Sequence, residues 1–145
     1  MDPDVTAAKI ESLRRCLRRI EQKRPARLDE LQTNVDLQDI LALNLERAVQ
    51  LAVDLAAMRV AEMDVPAPQT MGESFALLGQ AGALSATTVE RMQKAVGFRN
   101  IAVHSYRDLD WAIVFNIVHQ QLSGFETFAI EIAGKSCSPD EIGPE

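Results

Sequence analysis

An arginine, a histidine and a tyrosine fall close together in the run Arg99-Asn100-Ile101-Ala102-Val103-His104-Ser105-Tyr106. Histidine gives or takes a proton near neutral pH. Arginine is a permanently charged planar fork, suited to phosphate and to charge developing on phosphate oxygens. Asn100 can orient the histidine or a ribose hydroxyl, and Tyr106 offers a hydroxyl donor. Arg99 and His104 with no acidic cluster beside them suit metal-free cleavage of a phosphodiester by a neighbouring 2′-hydroxyl. RNA carries that nucleophile and DNA does not. No His/Cys/Asp grouping has ligand spacing, so neither a catalytic metal nor any other cofactor is implied.

Spacing adds a geometric condition. On one regular helix Arg99 and Tyr106 fall nearly on one face, and Asn100 and His104 stack a turn apart. Arg99 and His104 point about 140° apart on the same helix. Long reach by Arg99, a distorted turn near His104, or a second copy across a two-fold axis would each bring them together. Plainer readings stand beside these. Asn100 could bond between helices, and Tyr106 could cap a bundle with its hydroxyl wet. Gly97 could permit close helix approach or be an ordinary interior glycine, and His119 reads as a surface or boundary residue.

The elements that must position this run are helical. In a first helix from about Asp4 to Gln22 or Lys23, Ile10, Leu13, Leu17 and Ile20 recur at three- and four-residue intervals with Cys16 beside them, and Pro25 ends it. A long helical region from about Leu28 to Met63 follows, with a restart expected at Asn34 and closure at Pro66 and Pro68. Leu43, Leu51 and Val53 lie off its main stripe, so more than one neighbour, or a second subunit, must cover it. A short helix is expected around Glu73–Gly79. The next helix, from about Ala86 towards Ser105, has Ser85 or Thr87 as its cap, Thr87 and Glu90 being spaced like a capping box. The last pattern runs from about Asp108 to Ile132 on a stripe of Trp111, Val114, Phe115, Val118, Leu122, Phe125, Phe128 and Ile132. Four substantial helices, a short extra one and no strand signal indicate an all-α, up-and-down bundle. The expected domain is residues 1–133, with 134–145 as a flexible tail.

Composition is consistent with this. At 145 residues the chain suits a single core, and only seven residues are aromatic, so the helices must meet through small and branched side chains. No stretch is long and apolar enough for a membrane span, and the N-terminal segment lacks the apolar core of a signal peptide. Cys16 and Cys137 form no disulfide framework. These readings place the chain in the cytoplasm. Charge is uneven: Lys9 to Arg27 holds eight Lys or Arg against two acids, +6 in a chain of net −6 that is −12 elsewhere. Arg14, Arg15, Arg18 and Arg19 are therefore candidate RNA contacts, although basic residues also simply cover a helix's solvent face.

The run V-G-F-R-N-I-A-V-H-S-Y closely resembles the signature of the HepT-like (DUF86) proteins, a branch of the HEPN superfamily. The segment from Gln38 to Ala56 resembles that family's second helix, and Glu73 onward its middle region. The resemblance spans about Ile10 to Ile132, with Arg99, His104 and Tyr106 meeting the motif and Asn100 in its common polar position. It implies a homodimeric bundle with both motifs in one cleft, and a metal-independent ribonuclease toxin. It further implies a nucleotidyltransferase antitoxin that adds AMP to Tyr106. An AMP there would block the cleft by bulk and by offsetting its positive field. Two alternatives remain: a non-enzymatic interaction protein that docks with or is modified by such a transferase, and a purely structural helical dimer.

Overall fold

A computed structural model of the chain describes residues 1–134. Its helices are α1 (Pro3–Lys23), α2 (Leu28–Thr33), α3 (Val35–Val60), α4 (Met71–Gln80), α5 (Ala86–His104), α6 (Trp111–Asn116) and α7 (Leu122–Gly134). A 3₁₀ turn, Tyr106–Asp108, follows α5, and a π-helical turn, Ile117–Gln121, joins α6 to α7. The described residues contain no strand, so the expected all-α bundle is what forms. The expected tail and Cys137 lie outside the described residues, apart from Gly134, which closes α7.

Local chemistry sets the boundaries. Asp2 caps α1 by accepting from the Asp4 amide at 2.8 Å. Pro25 forces the preceding Arg24 into an extended conformation, ψ 131°, and the helix stops at Lys23. Asn34 breaks the long region as expected, closing α2 and capping α3 through the Leu37 amide at 3.1 Å. The cap of α5 is Ser85, which accepts from the Thr88 amide at 3.2 Å, and Thr87 falls inside the first turn, so the capping box expected at Thr87 and Glu90 does not form.

α3 is the central rod, with α1, α4, α5 and α7 packed around it. Leu41, Leu45, Ala48, Ala52, Leu55 and Ala56 bury one side of it, against Leu13 and Ile20 of α1 and Phe128 and Ile132 of α7. Burying each such Leu, Ile or Phe contributes about 1.5–3 kcal/mol. Phe75 meets Phe128 edge to face, centroids 5.7 Å apart. Of the off-stripe residues, Val53 is buried and Leu51 half-buried, while Leu43 remains 44 % exposed. α4 and α5 touch at Gly79, where an added Cβ would stand 2.7 Å from the Val89 side chain. That close approach fixes where α5 begins.

The last apolar pattern is one stripe carried by two helices. The π turn absorbs an extra residue without losing register, and Val114, Val118, Leu122, Phe125, Phe128 and Ile132 all bury. The α1–α2 connection locks onto it: Arg24 Nη1 donates to the Val118 carbonyl at 2.7 Å, and His119 Nε2 lies 2.7 Å from the Pro25 carbonyl oxygen. His119 is thus a half-buried boundary residue.

Candidate functional site

α3 and α5 run antiparallel, and their contacts assemble the site. Asp39 meets Tyr106, Ala42 packs with Ala102, and Gln50 meets Arg99. Asp39, Leu43, Glu46 and Gln50 follow a single line along α3, spaced by three and four residues. The motif therefore sits on a rail of α3 side chains.

Arg99 is half-buried. Its Nη2 donates to Gln50 Oε1 at 3.1 Å, and its Nη1 donates to Asn100 Oδ1 at 3.4 Å. Both partners are neutral amides, so the guanidinium is oriented without losing its charge to a carboxylate. Its Nε is buried with no hydrogen-bond partner among the described residues. Gln50 is held in turn, since its Nε2 donates to Asp54 Oδ1 at 3.0 Å.

His104 is exposed at the last position of α5, as is Asn100 one turn earlier. Among the described residues no hydrogen bond joins Arg99 to His104, and five residues apart on α5 they project about 140° from each other. α5 ends at His104, so Tyr106 lies just beyond the regular helix. Ser105 leaves the helix with φ −147° and ψ 53°, and Tyr106 opens the 3₁₀ turn. Its ring stands edge to face with Trp111, centroids 5.9 Å apart, and its hydroxyl donates to Asp39 Oδ1 at 2.6 Å. Tyr106 nevertheless reaches the same side of α3 as Arg99, since Asp39 and Gln50 lie on one line of that helix. Burial, and then the hydrogen bond and negative charge of Asp39, push its pKa well above the ordinary phenol value, so it carries its proton at neutral pH.

Among exposed polar residues, three large apolar side chains also stay uncovered near the motif. Leu43 (44 %), Ile101 (45 %) and Val103 (40 %) are unusually exposed and adjoin the Ala42–Ala102 contact in sequence. Gly97 serves no close approach, since an added Cβ there would meet nothing within 4 Å.

The arginines of α1 divide between two sides. Arg14 pairs with Glu126 at 3.2 Å and Arg18 with Glu11 at 3.0 Å. Arg19 is exposed with no partner among the described residues. Arg15 bonds only the Ser12 hydroxyl, at 3.2 Å, and faces α3 across a cleft of about 510 Å³. Ser12, Arg15, Cys16, Asn44, Arg47 and Gln50 line it, so it reaches the residue that holds Arg99. Gln50, Arg47 and Asp39 went unnoticed in the sequence, although their spacing along α3 was there to be read. Among the described residues no group of three or more His, Cys, Asp or Glu side chains gathers to hold a metal ion, and no helix is long and apolar enough to cross a membrane.

Comparison with known proteins points one way. A family model described as Ribonuclease HepT-like matches residues 13–132. The mRNA nuclease HepT of Shewanella oneidensis is 34 % identical over 125 residues, which is 86 % of this chain and 93 % of that protein. A tri-AMPylated Shewanella oneidensis HEPN toxin, solved in complex with MNT antitoxin, superposes with a TM-score of 0.83 at 33 % identity, covering 91 % of this chain and 98 % of that one. A toxin–antitoxin structure with AMP-PNP gives a TM-score of 0.83 at 32 % identity, over 89 % and 97 % of the two chains. YutE of Bacillus subtilis, a cytosolic protein of unknown function, shares the fold alone, with a TM-score of 0.79 at 12 % identity.

Proposed function

We propose, for a chain that belongs to the ribonuclease HepT-like family, that two copies form a cleft in which Arg99 of one subunit works with the partner subunit's His104 on RNA. The activity is metal-independent RNA cleavage by a toxin, which a nucleotidyltransferase antitoxin neutralises by AMP transfer. The observation that carries the composite site is the divergence of Arg99 and His104 within one chain, beside exposed apolar side chains. Leu43, Ile101 and Val103 are large apolar side chains left exposed within or beside the motif, and a second copy that covers part of them about a two-fold axis sets each motif against the other.

The chemistry follows from the side chains. A ribose 2′-hydroxyl attacks the adjacent phosphorus, the P–O5′ bond breaks, and a 2′,3′-cyclic phosphate remains. Arg99 stabilises the charge growing on the phosphate oxygens, which is where its neutral amide partners leave it effective. His104 transfers the proton. Asn100 and Gln50 hold the guanidinium fork. Tyr106 is the AMP acceptor, and an added adenylate brings bulk and negative charge beside the cationic cleft.

The RNA path enters by the cleft between Arg15 and Arg47, because these arginines have no carboxylate partner among the described residues and the cleft leads through Gln50 to Arg99. Arg14 and Arg18 contribute less, being matched to Glu126 and Glu11. Arg19 lends its charge from the solvent side.

Cleavage of RNA by purified protein in excess chelator tests the reading, after intact mass has shown the protein to be free of AMP. Wild type cleaves, and Arg99→Ala and His104→Ala lose on the order of a hundredfold or more. Equal cleavage by all three, or none by the wild type, would overturn it.

A further inference from the structure

The hydroxyl of Tyr106 and the carboxylate of Asp39 come from segments 67 residues apart, yet they meet at 2.6 Å. Such a distance lies within the reach of direct proton transfer. The geometry points to Asp39 as the general base for AMP transfer to Tyr106: the protein being modified supplies part of the catalysis of its own modification. This rests on the reading that Tyr106 is the AMP acceptor, and extends it by assigning the residue that activates the acceptor.

Every feature of the pair suits an acceptor poised for attack. The Tyr106 hydrogen is committed to Asp39 Oδ1, which leaves the oxygen lone pairs free to meet phosphorus. Trp111 meets the ring edge to face, a contact that favours the orientation in which the hydroxyl meets the carboxylate. Tyr106 is 38 % exposed and Asp39 lies at the surface, so a nucleotide held by another protein can reach the oxygen. A phenol held in its neutral form is a weak nucleophile, and it needs a base at the moment of reaction. Protein kinases use an aspartate in the same role toward the hydroxyl of their substrate.

The step balances with one co-reactant, a nucleoside triphosphate held by the nucleotidyltransferase. The Tyr106 Oη attacks the α-phosphorus and forms the new O–P bond. The bond between the α-phosphorus and the bridging oxygen to the β-phosphate breaks, and pyrophosphate leaves with that electron pair. The phenol proton passes to Asp39 Oδ1, and from there to water.

Two substitutions separate this role from mere positioning. Asp39→Asn keeps an oxygen acceptor in place but cannot take the proton, while Asp39→Ala removes both functions. The experiment is single-turnover modification of the full chain by its cognate nucleotidyltransferase with ATP and Mg²⁺, followed by intact mass at saturating transferase. Wild type should gain AMP and Tyr106→Phe none. Both Asp39 variants should slow the first addition by about a hundredfold or more. A rate for Asp39→Asn within about threefold of wild type, with only Asp39→Ala slow, would overturn the base and leave Tyr106 as acceptor. Modification of Tyr106→Phe at the wild-type rate, or no modification of the wild type, would remove the acceptor reading and the base with it.

Discussion

Arg14 and Arg18 of α1 and Arg99 of α5 live in opposite electrostatic settings. α1 carries the conspicuous charge, yet Arg14 and Arg18 face Glu126 and Glu11 across 3.2 and 3.0 Å. Arg99 is held by two neutral amides, and its buried Nε has no hydrogen-bond partner among the described residues. A guanidinium matched to a carboxylate in water serves solubility and adds little stability. One oriented by amides keeps its field for whatever anion arrives. Partners, more than the number of cations, single out Arg99 as the arginine we propose for catalysis.

The comparison can be broken by giving Arg99 the kind of partner α1 has. Asn100→Asp places a carboxylate where the Asn100 oxygen now accepts from Arg99. RNA cleavage should fall about tenfold, or ~1.4 kcal/mol of transition-state stabilisation, with the fold intact by circular dichroism. Unchanged kcat/KM would mean that the neutrality of the partner does not matter.

A smaller effect is expected in the cleft between α1 and α3. Arg15→Ala with Arg47→Ala should weaken RNA binding by a cleavage-inactive His104→Ala background, measured by fluorescence anisotropy across salt. The slope of log K against log salt should flatten by roughly 0.7 per arginine removed. An unchanged slope would return both residues to ordinary surface duty.

The smallest effect belongs to the neutralised arginines. Arg14→Ala and Arg18→Ala remove exposed ion pairs and should shift unfolding free energy by no more than about 0.5 kcal/mol in a urea titration. Cleavage should stay within about twofold of wild type. A loss comparable to that of the Arg15/Arg47 double variant would erase the distinction between the two sides of α1.

How much of this could be read from the residues depends on the range of the interactions. Boundaries set by a single residue were legible: Pro25 ends α1, and Asn34 separates α2 from α3. The end of α5, expected towards Ser105 and found at His104, was legible to within a residue, whereas the 3₁₀ turn after it was not, because nothing in Tyr106–Asp108 signals one. Trp111 and Asp39 hold Tyr106 in the 3₁₀ turn, and both contacts are tertiary. The π turn was hidden for a related reason, since it preserves the apolar spacing that a continuous helix would show. In the site, the identity of Arg99, Asn100, His104 and Tyr106 was visible as chemistry and as a family resemblance. The supporting Gln50 and Asp39 lie 49 and 67 residues upstream of the groups they hold. Contacts at that range become visible only when α3 and α5 are laid side by side.

The central claim is that Arg99 of one subunit serves His104 of the other, and mixed dimers test it most directly. Arg99→Ala and His104→Ala proteins are inactive separately on this account, but unfolding and refolding them together makes heterodimers with one intact cross-subunit pair. About half the dimers would be mixed, each with one of two sites restored, so cleavage should return to on the order of a quarter of wild type. A refolded mixture no more active than either variant alone would contradict the shared site and return catalysis to a single chain.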